Sequence, residues 1–301
     1  MDIKTVKLSK SFDREKALDT VDLFVKSGTI HGLIGSNGAG KTTLLKVLTG
    51  IYKEDEGHVF YNDAPVFENT SVKEKVIFIG DTPFFFSGFS LLQMAKHYKT
   101  IYKNWSDTRF KTLYEHFKID PKKSLNEMSK GMRRQASFIL AFSSKPDVLV
   151  LDEPFDGLDP IVRRQVKNII LQDMDSYGLT VVLSSHNLLE MENICDAISI
   201  MHNGKILYTN NINQMKHTHC KLQIAFKELP DESFYKALNV VQHTVQGRVI
   251  TCIIEGDIKN IEEKISKFNP LMYDILPITL DEMFAYEMGE IGYAIEDIII
   301  E

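Results

Sequence analysis

The sequence predicts an α/β fold with a largely parallel core sheet over residues 1–212 and a smaller α+β domain over residues 216–301. Two features of the first stretch and one of the second carry that expectation. Short segments rich in β-branched residues alternate with longer helical ones, the pattern of parallel strands joined by crossover helices. The alternation is interrupted once, by a stretch dense in Tyr, Lys and Phe that has helical spacing. After Met215 the order becomes β-α-β-β-α-β, that of a small ferredoxin-like domain.

Strands are expected at residues 29–34, 76–79, 148–151, 180–184 and 197–201, each short and bounded by turn residues. Helices are expected at residues 42–49, 131–143, 161–177 and 188–194, with Gly50, Pro146 and Gly178 marking ends. The interrupting stretch runs from about residue 90 to 122, contains Trp105, and reads as an inserted helical subdomain that closes by about residue 145. In the second domain, strands are expected at residues 221–226, 240–245, 248–254 and 271–276, with Gln246-Gly247 as a hairpin turn. Helices are expected there at residues 231–238, 258–268 and 279–288.

The chain has 301 residues, enough for one large domain or two ordinary ones. Its uninterrupted apolar runs, such as those at residues 148–151 and 298–300, fall far short of the roughly 20 that span a bilayer. MDIKTVKLSKSF has no apolar core behind its lysines, so a cytoplasmic location is expected. Cys195, Cys220 and Cys252 are widely spaced among apolar neighbours, as buried reduced thiols would be. The net charge of -6 argues against a nucleic-acid partner. Residues 216–301 carry 8 Lys and Arg against 15 Asp and Glu, so the acidic excess lies in the second domain.

Gly35-Ser36-Asn37-Gly38-Ala39-Gly40-Lys41-Thr42 satisfies G-x-x-x-x-G-K-[ST] and stands between an expected strand and an expected helix. Small residues let backbone N–H groups wrap a phosphate chain, and the helix N-terminus adds the positive end of its dipole. In this reading Lys41 reaches the β- and γ-phosphates, the Thr42 hydroxyl ligates Mg²⁺, and Thr43 lies beside the α-phosphate. Further along, Val148-Leu149-Val150-Leu151 runs into Asp152, Glu153 and Pro154. A buried strand ending so sets Asp152 at the ligand-binding edge of the sheet, next to Mg²⁺, and points Glu153 at the γ-phosphate as a base for water.

Met128-Ser129-Lys130-Gly131-Met132-Arg133-Arg134-Gln135 precedes a helix, Phe155-Asp156-Gly157-Leu158-Asp159 follows the acids, and Ser184-Ser185-His186 ends the next strand. With the phosphate loop, this ordered set resembles the ATP-binding subunits of ABC transporters over residues 1–212. The resemblance implies the P-loop NTPase fold of an ABC-type nucleotide-binding domain with its helical subdomain. It implies ATP and Mg²⁺, hydrolysis that powers transport, and separate transmembrane permease subunits. Two ATP-binding subunits, identical or different, would work as a dimer on the inner face of the cell membrane.

By the same resemblance, Phe12 is the aromatic that stacks on adenine, although a Phe near this position also fits an ordinary core residue. Ser129 and Gly131 match the signature loop that caps the ATP of the opposite subunit, with a plain helix cap as the other reading of Ser129. Asp159 matches the acid of the dimer-contact loop, and His186 the histidine that touches the γ-phosphate and holds Glu153 and water.

Two departures stand out. The family's signature commonly reads Leu-Ser-Gly-Gly-Gln, and here Lys130 replaces a glycine, as in some exporters. After residues 76–79 the family places a glutamine that approaches Mg²⁺, where this chain has Gly80-Asp81-Thr82. Asp81 is a hard oxygen donor that suits the metal side or a plain loop. The following Pro83-Phe84-Phe85-Phe86-Ser87-Gly88-Phe89 fits either a filled groove or an exposed socket for a short helix of a membrane subunit, with Phe85 and Phe86 as its rings. His217-Thr218-His219-Cys220 has metal-ligand composition without a second ligand pair and reads as a polar linker. Gly289-Glu290-Ile291-Gly292-Tyr293 resembles endings of family members with an accessory C-terminal region.

The expected function is ATP-driven transport, in the direction of export. Two alternatives stay open: a regulatory cassette that binds ATP without hydrolysing it, and a soluble ABC-type ATPase acting on ribosomes or DNA.

Overall fold

Residues 1–212, 219–255 and 261–283 are described in the computed structural model. They group into two units, Met1–Asn187 with Ile194–Thr209, and Leu188–Asn193 with the described residues from Asn210 onward.

The first unit opens with an antiparallel sheet of β1 (Ile3–Phe12), β2 (Glu15–Val25), β4 (Glu56–Tyr61) and β5 (Ala64–Pro65), in the order β2-β1-β4-β5. One face is buried through Ile3, Leu8, Leu18, Val21, Leu23, Val25, Val59 and Tyr61. None of these strands is expected from the sequence. Register shifts on either side of Leu8 break the period-2 alternation that would have marked β1.

The second sheet holds β3 (Ile30–Ile34), β6 (Val76–Ile79), β7 (Val148–Asp152), β8 (Thr180–Ser185), β9 (Ala197–His202) and β10 (Lys205–Asn211), ordered β10-β9-β3-β8-β7-β6. The pairs β3/β8, β3/β9, β7/β8 and β6/β7 are parallel. β3, β7 and β8 are buried at every residue, which explains their unbroken apolar runs.

Helix α1 (Lys41–Leu48) lies between the two sheets. Leu44, Leu45, Val47 and Leu48 are each fully buried, and each such side chain contributes about 2 kcal/mol. A short α2 (Thr70–Lys73) precedes β6. The helical insert comprises α3 (Leu91–Ile101), α4 (Asp107–His116), a 3₁₀ turn over Leu125–Glu127 and α5 (Lys130–Ser144). Ser90 and Gln93 form a capping box on α3, and Ser106 caps α4. α5 ends on left-handed Lys145 ahead of Pro146, and α6 (Pro160–Tyr177) ends on left-handed Gly178. The insert is tied to α6 by Asp173, which is wholly buried and accepts from Arg109 of α4 and from the Tyr177 hydroxyl.

In the second unit, β11 (His219–Ala225), β12 (Val240–Gln246), β13 (Val249–Glu255) and β14 (Met272–Leu276) form a sheet ordered β12-β13-β11-β14, every pair antiparallel. Helices over Glu232–Ala237 and Ile261–Ser266 follow the first and third strands, and their Phe234, Ile261 and Ile265 bury against Leu222, Ile224 and Ile250. The short α7 (Leu188–Glu192) groups with this unit, where Glu192 accepts from the Leu280 N–H. Of the helix expected at residues 258–268, residues 258–260 lie outside the described residues, as do 284–288 of the one expected at 279–288. Among the described residues no helix is long and apolar enough to cross a membrane.

His31 of β3 is buried, and its Nε2 meets Ser199 Oγ at 2.8 Å, which in turn meets Thr209 Oγ1 at 2.7 Å. Burial lowers its pKa from 6.5 to about 4. The unfolded chain therefore takes a proton below pH 6.5 that the folded one refuses until about 4. The contribution to stability is complete above pH 6.5 and is lost as pH falls towards 4, at up to about 1.4 kcal/mol per pH unit. His31→Gln is expected to flatten that part of the stability profile, and an unchanged slope would refute the assignment. Arg109→Ala leaves Asp173 as an uncompensated buried charge and should lower the unfolding free energy by roughly 3 kcal/mol, read from the urea midpoint.

Candidate functional site

The sequence between β3 and α1 must turn from a buried strand into a buried helix. A Cβ on Gly35 would strike the carbonyl of Met201, and one on Gly40 would stand 2.6 Å from the carbonyl of Ala17. Gly40 is also the N-cap of α1, at φ 102, and supplies no side-chain cap. By contrast α3, α4, α5 and α6 begin with Ser90, Ser106, Ser129 and Asp159, each accepting from its own first turn. The first N–H groups of α1 are thus left for a ligand, at the positive end of the helix.

They open into a pocket of about 550 Å³ lined by residues 36–43, together with Asp81, Asp152, Glu153 and the segments 15–17 and 203–204. Lys41 is 7% exposed, and its Nζ donates to the carbonyls of Gly35 at 2.6 Å and Ser36 at 3.1 Å, 3.9 Å from Glu153 Oε1. Burial lowers its pKa, opposed by the charges of Glu153 and Asp152. A cation wrapped by loop carbonyls beside bare N–H groups is chemistry for a polyphosphate.

β7 carries Asp152 to the sheet edge, where it is buried yet fully bonded. Thr42 Oγ1 donates to its Oδ2 at 2.8 Å and Ser184 Oγ to its Oδ1 at 2.6 Å. Ser184 Oγ also accepts from the Glu153 N–H at 3.0 Å, so one hydroxyl holds both acids. Glu153 has a φ of 45, unusual for a residue with a side chain, and its Oε2 lies 3.1 Å from His186 Nδ1. Thr42 and Asp152 offer hard oxygens that fit Mg²⁺ beside phosphate oxygens. Among the described residues no group of three His, Cys, Asp or Glu side chains is arranged to hold a metal by itself.

The other expected positions fall around this pocket or outside it. Asp81 lines it, but its Oδ1 accepts from Arg134 Nη2 at 3.0 Å. Phe12 is absent from the lining; its half-exposed ring packs edge-on against Tyr52, with centroids 5.3 Å apart. Ser129 Oγ caps α5 through the Met132 N–H, and a Cβ on Gly131 would stand 3.1 Å from the carbonyl of Gly157, so the signature segment packs on the loop after the acids. Asp159 Oδ1 caps α6 through the N–H groups of Ile161 and Val162.

The aromatic stretch corrects one expectation. Phe85 is buried, with the Arg133 guanidinium over its ring, whereas Phe84 is 78% exposed and Phe86 38%. Phe86 contacts Phe84, Phe89 and His97 edge to face or tilted. The three cysteines are buried thiols, and burial raises the Cys252 thiol to about 12. His217, Thr218 and residues 289–293 lie outside the described residues, while His219 and Cys220 are in β11.

Two residues at the site were not singled out by the sequence. Ser184 was visible as a polar end to an apolar strand. Arg134 was visible only as one of two adjacent arginines, yet it is 1% exposed and donates to the carbonyls of Gly80, Asp81 and Asp152.

Residues 18–156 match the family described as ABC transporter. The chain is 25% identical to ABC transporter ATP-binding protein YtrB of Bacillus subtilis (strain 168), over 95% of its own length and 98% of that protein's. It is 32% identical to the bacitracin transport ATP-binding protein BcrA of Bacillus licheniformis, over 68% of each. Its fold is similar to the dimeric structure of a post-hydrolysis state of the ATP-binding cassette MJ0796 bound to ADP and Pi. That likeness has a TM-score of 0.64 at 17% identity, covering 70% of this chain and 98% of the other. The uncapped helix, the buried lysine and the paired acids thus stand on a known cassette fold, and the chain belongs to the ABC transporter ATP-binding proteins, the ATP-hydrolysing subunits of these transporters.

Proposed function

We propose that this chain powers export through separately encoded permease subunits, sitting on the cytoplasmic face of the membrane as a dimer with itself or with a second ATP-binding subunit. The observation that carries the reading is the convergence of the uncapped α1 N-terminus, Lys41 and the Asp152–Glu153 pair on one pocket. Similarity to a relative named for bacitracin transport supports a role in transport, and Lys130 in the signature segment supports its direction.

The first N–H groups of α1 and the Lys41 ammonium bind and orient the β- and γ-phosphates of ATP, while Thr43 stands beside the α-phosphate. The Thr42 hydroxyl and Asp152 hold Mg²⁺, which when bound supplies positive charge to the phosphate oxygens. Glu153 accepts a proton from the attacking water, and His186, 3.1 Å from its carboxylate, fixes its orientation. This contact favours turnover over a cassette that only binds ATP. Phe12 stacks on the adenine. Ser129 and Gly131 face the ATP of the opposite subunit, and Asp159 lies at the dimer contact. The chain from residue 216 onward serves as an accessory domain, and the order of its described strands and helices supports a ferredoxin-like connectivity.

Glu153→Gln keeps the size of the side chain and removes the base. Turnover should fall by about a thousandfold with ATP affinity retained, and the variant should accumulate as an ATP-bound dimer. Wild-type protein that neither hydrolyses ATP nor dimerises, even with membrane partners supplied, would overturn the reading. Phe84 and Phe86 offer the exposed aromatic surface for a permease helix. Phe84→Ala combined with Phe86→Ala should weaken co-purification with the permease by about tenfold, with ATP binding by the isolated chain unchanged.

A further inference from the structure

We infer that Arg134 is a positioning residue whose buried charge allows an aspartate, Asp81, to stand beside the nucleotide phosphates. The inference rests on the proposed placement of those phosphates and adds a residue that this placement does not use.

Three carboxylates, those of Asp81, Asp152 and Glu153, border the pocket that must accept a polyanion. Lys41 and the N–H groups of α1 oppose them from one side. Arg134 opposes them from the other, with its guanidinium sealed from solvent. Nη1 donates to the carbonyls of Gly80 at 3.2 Å and Asp152 at 3.4 Å, and Nη2 to the carbonyl and the Oδ1 of Asp81. One planar group therefore fastens the loop after β6 to the end of β7. Asp81 itself is half exposed, and among the described residues no group bonds its Oδ2. Neutralising Arg134 would leave the Asp81 charge facing the phosphates, and neutralising Asp81 would release the Arg134 charge to them. Because Arg134 lies on α5, whose N-cap is Ser129, any shift of that helix is passed to Asp81 and to the backbone of Asp152 through the same fork.

The experiment measures ADP binding to the full-length protein in excess EDTA, and the kcat and KM for ATP with Mg²⁺. It uses wild type, Arg134→Gln, Asp81→Asn and the double variant, each checked for folding by near-ultraviolet circular dichroism. Arg134→Gln should weaken ADP binding by about tenfold and raise KM more than it lowers kcat. Adding Asp81→Asn should restore binding to within about threefold of wild type, since the unmatched charge is gone. Asp81→Asn alone, a change at a half-exposed site, should tighten metal-free ADP binding by about threefold, and this arm stands even if Arg134→Gln does not fold. A double variant as weak as Arg134→Gln, or Asp81→Asn binding ADP no more tightly than wild type, would overturn the inference. Failure of the wild type to bind ADP would instead overturn the placement of the phosphates.

Discussion

Helix α1 is held on both sides by apolar packing while its N-terminus is denied a cap, and the chemistry of this protein depends on that combination. The buried Leu44, Leu45, Val47 and Leu48 leave the helix no freedom to slide between its two sheets. The close backbone approaches at Gly35 and Gly40 leave no room for a capping side chain in the preceding loop. Free N–H groups in a fixed place are costly for a folded protein unless something binds them. Lys41 and Thr42 take their positions from the same helix, so the cation, the hydroxyl and the N–H groups arrive as one rigid unit.

The acids are organised around that unit by a second local rule. A parallel strand buried on both faces emerges from the sheet at its C-terminal edge, and β7 delivers Asp152 there with its carboxylate already bonded to Thr42 and Ser184. Glu153 comes next in the chain and needs a backbone turn with positive φ to face the pocket. Ser184 and His186, both from the end of β8, hold that turn and its side chain. Neighbouring parallel strands thus supply the Glu153 carboxylate and the groups that hold it.

The helical insert is fastened to the rest of its unit by ionic contacts as well as by packing. Arg109 reaches the buried Asp173 of α6, and Arg134 reaches the segment after β6 and the end of β7. Both arginines make charge-assisted bonds to buried or part-buried carbonyl and carboxylate oxygens. The insert therefore carries its signature segment on a helix whose second turn is directly bonded to the nucleotide pocket.

The sequence by itself determined the phosphate loop, the acidic strand end and the positions along the chain of five strands of the parallel sheet. Each is written within a contiguous stretch: glycine spacing, an apolar run closed by two acids, and helices bounded by Gly50, Pro146 and Gly178. Helix α5 and strands β3, β7 and β8 lie within a residue or two of their expected limits for that reason. The antiparallel sheet was hidden because its register shifts blur the alternation of β1. Which of three adjacent phenylalanines is buried depends on what packs over them, so Phe85 and Phe84 could not be told apart by composition. Only the tertiary structure decided that Asp81 pairs with Arg134 and that Ser184 serves both acids. Those bonds join residues that are 53 and 31 to 32 positions apart in the chain, and contact at such separations is created by packing, not by local spacing.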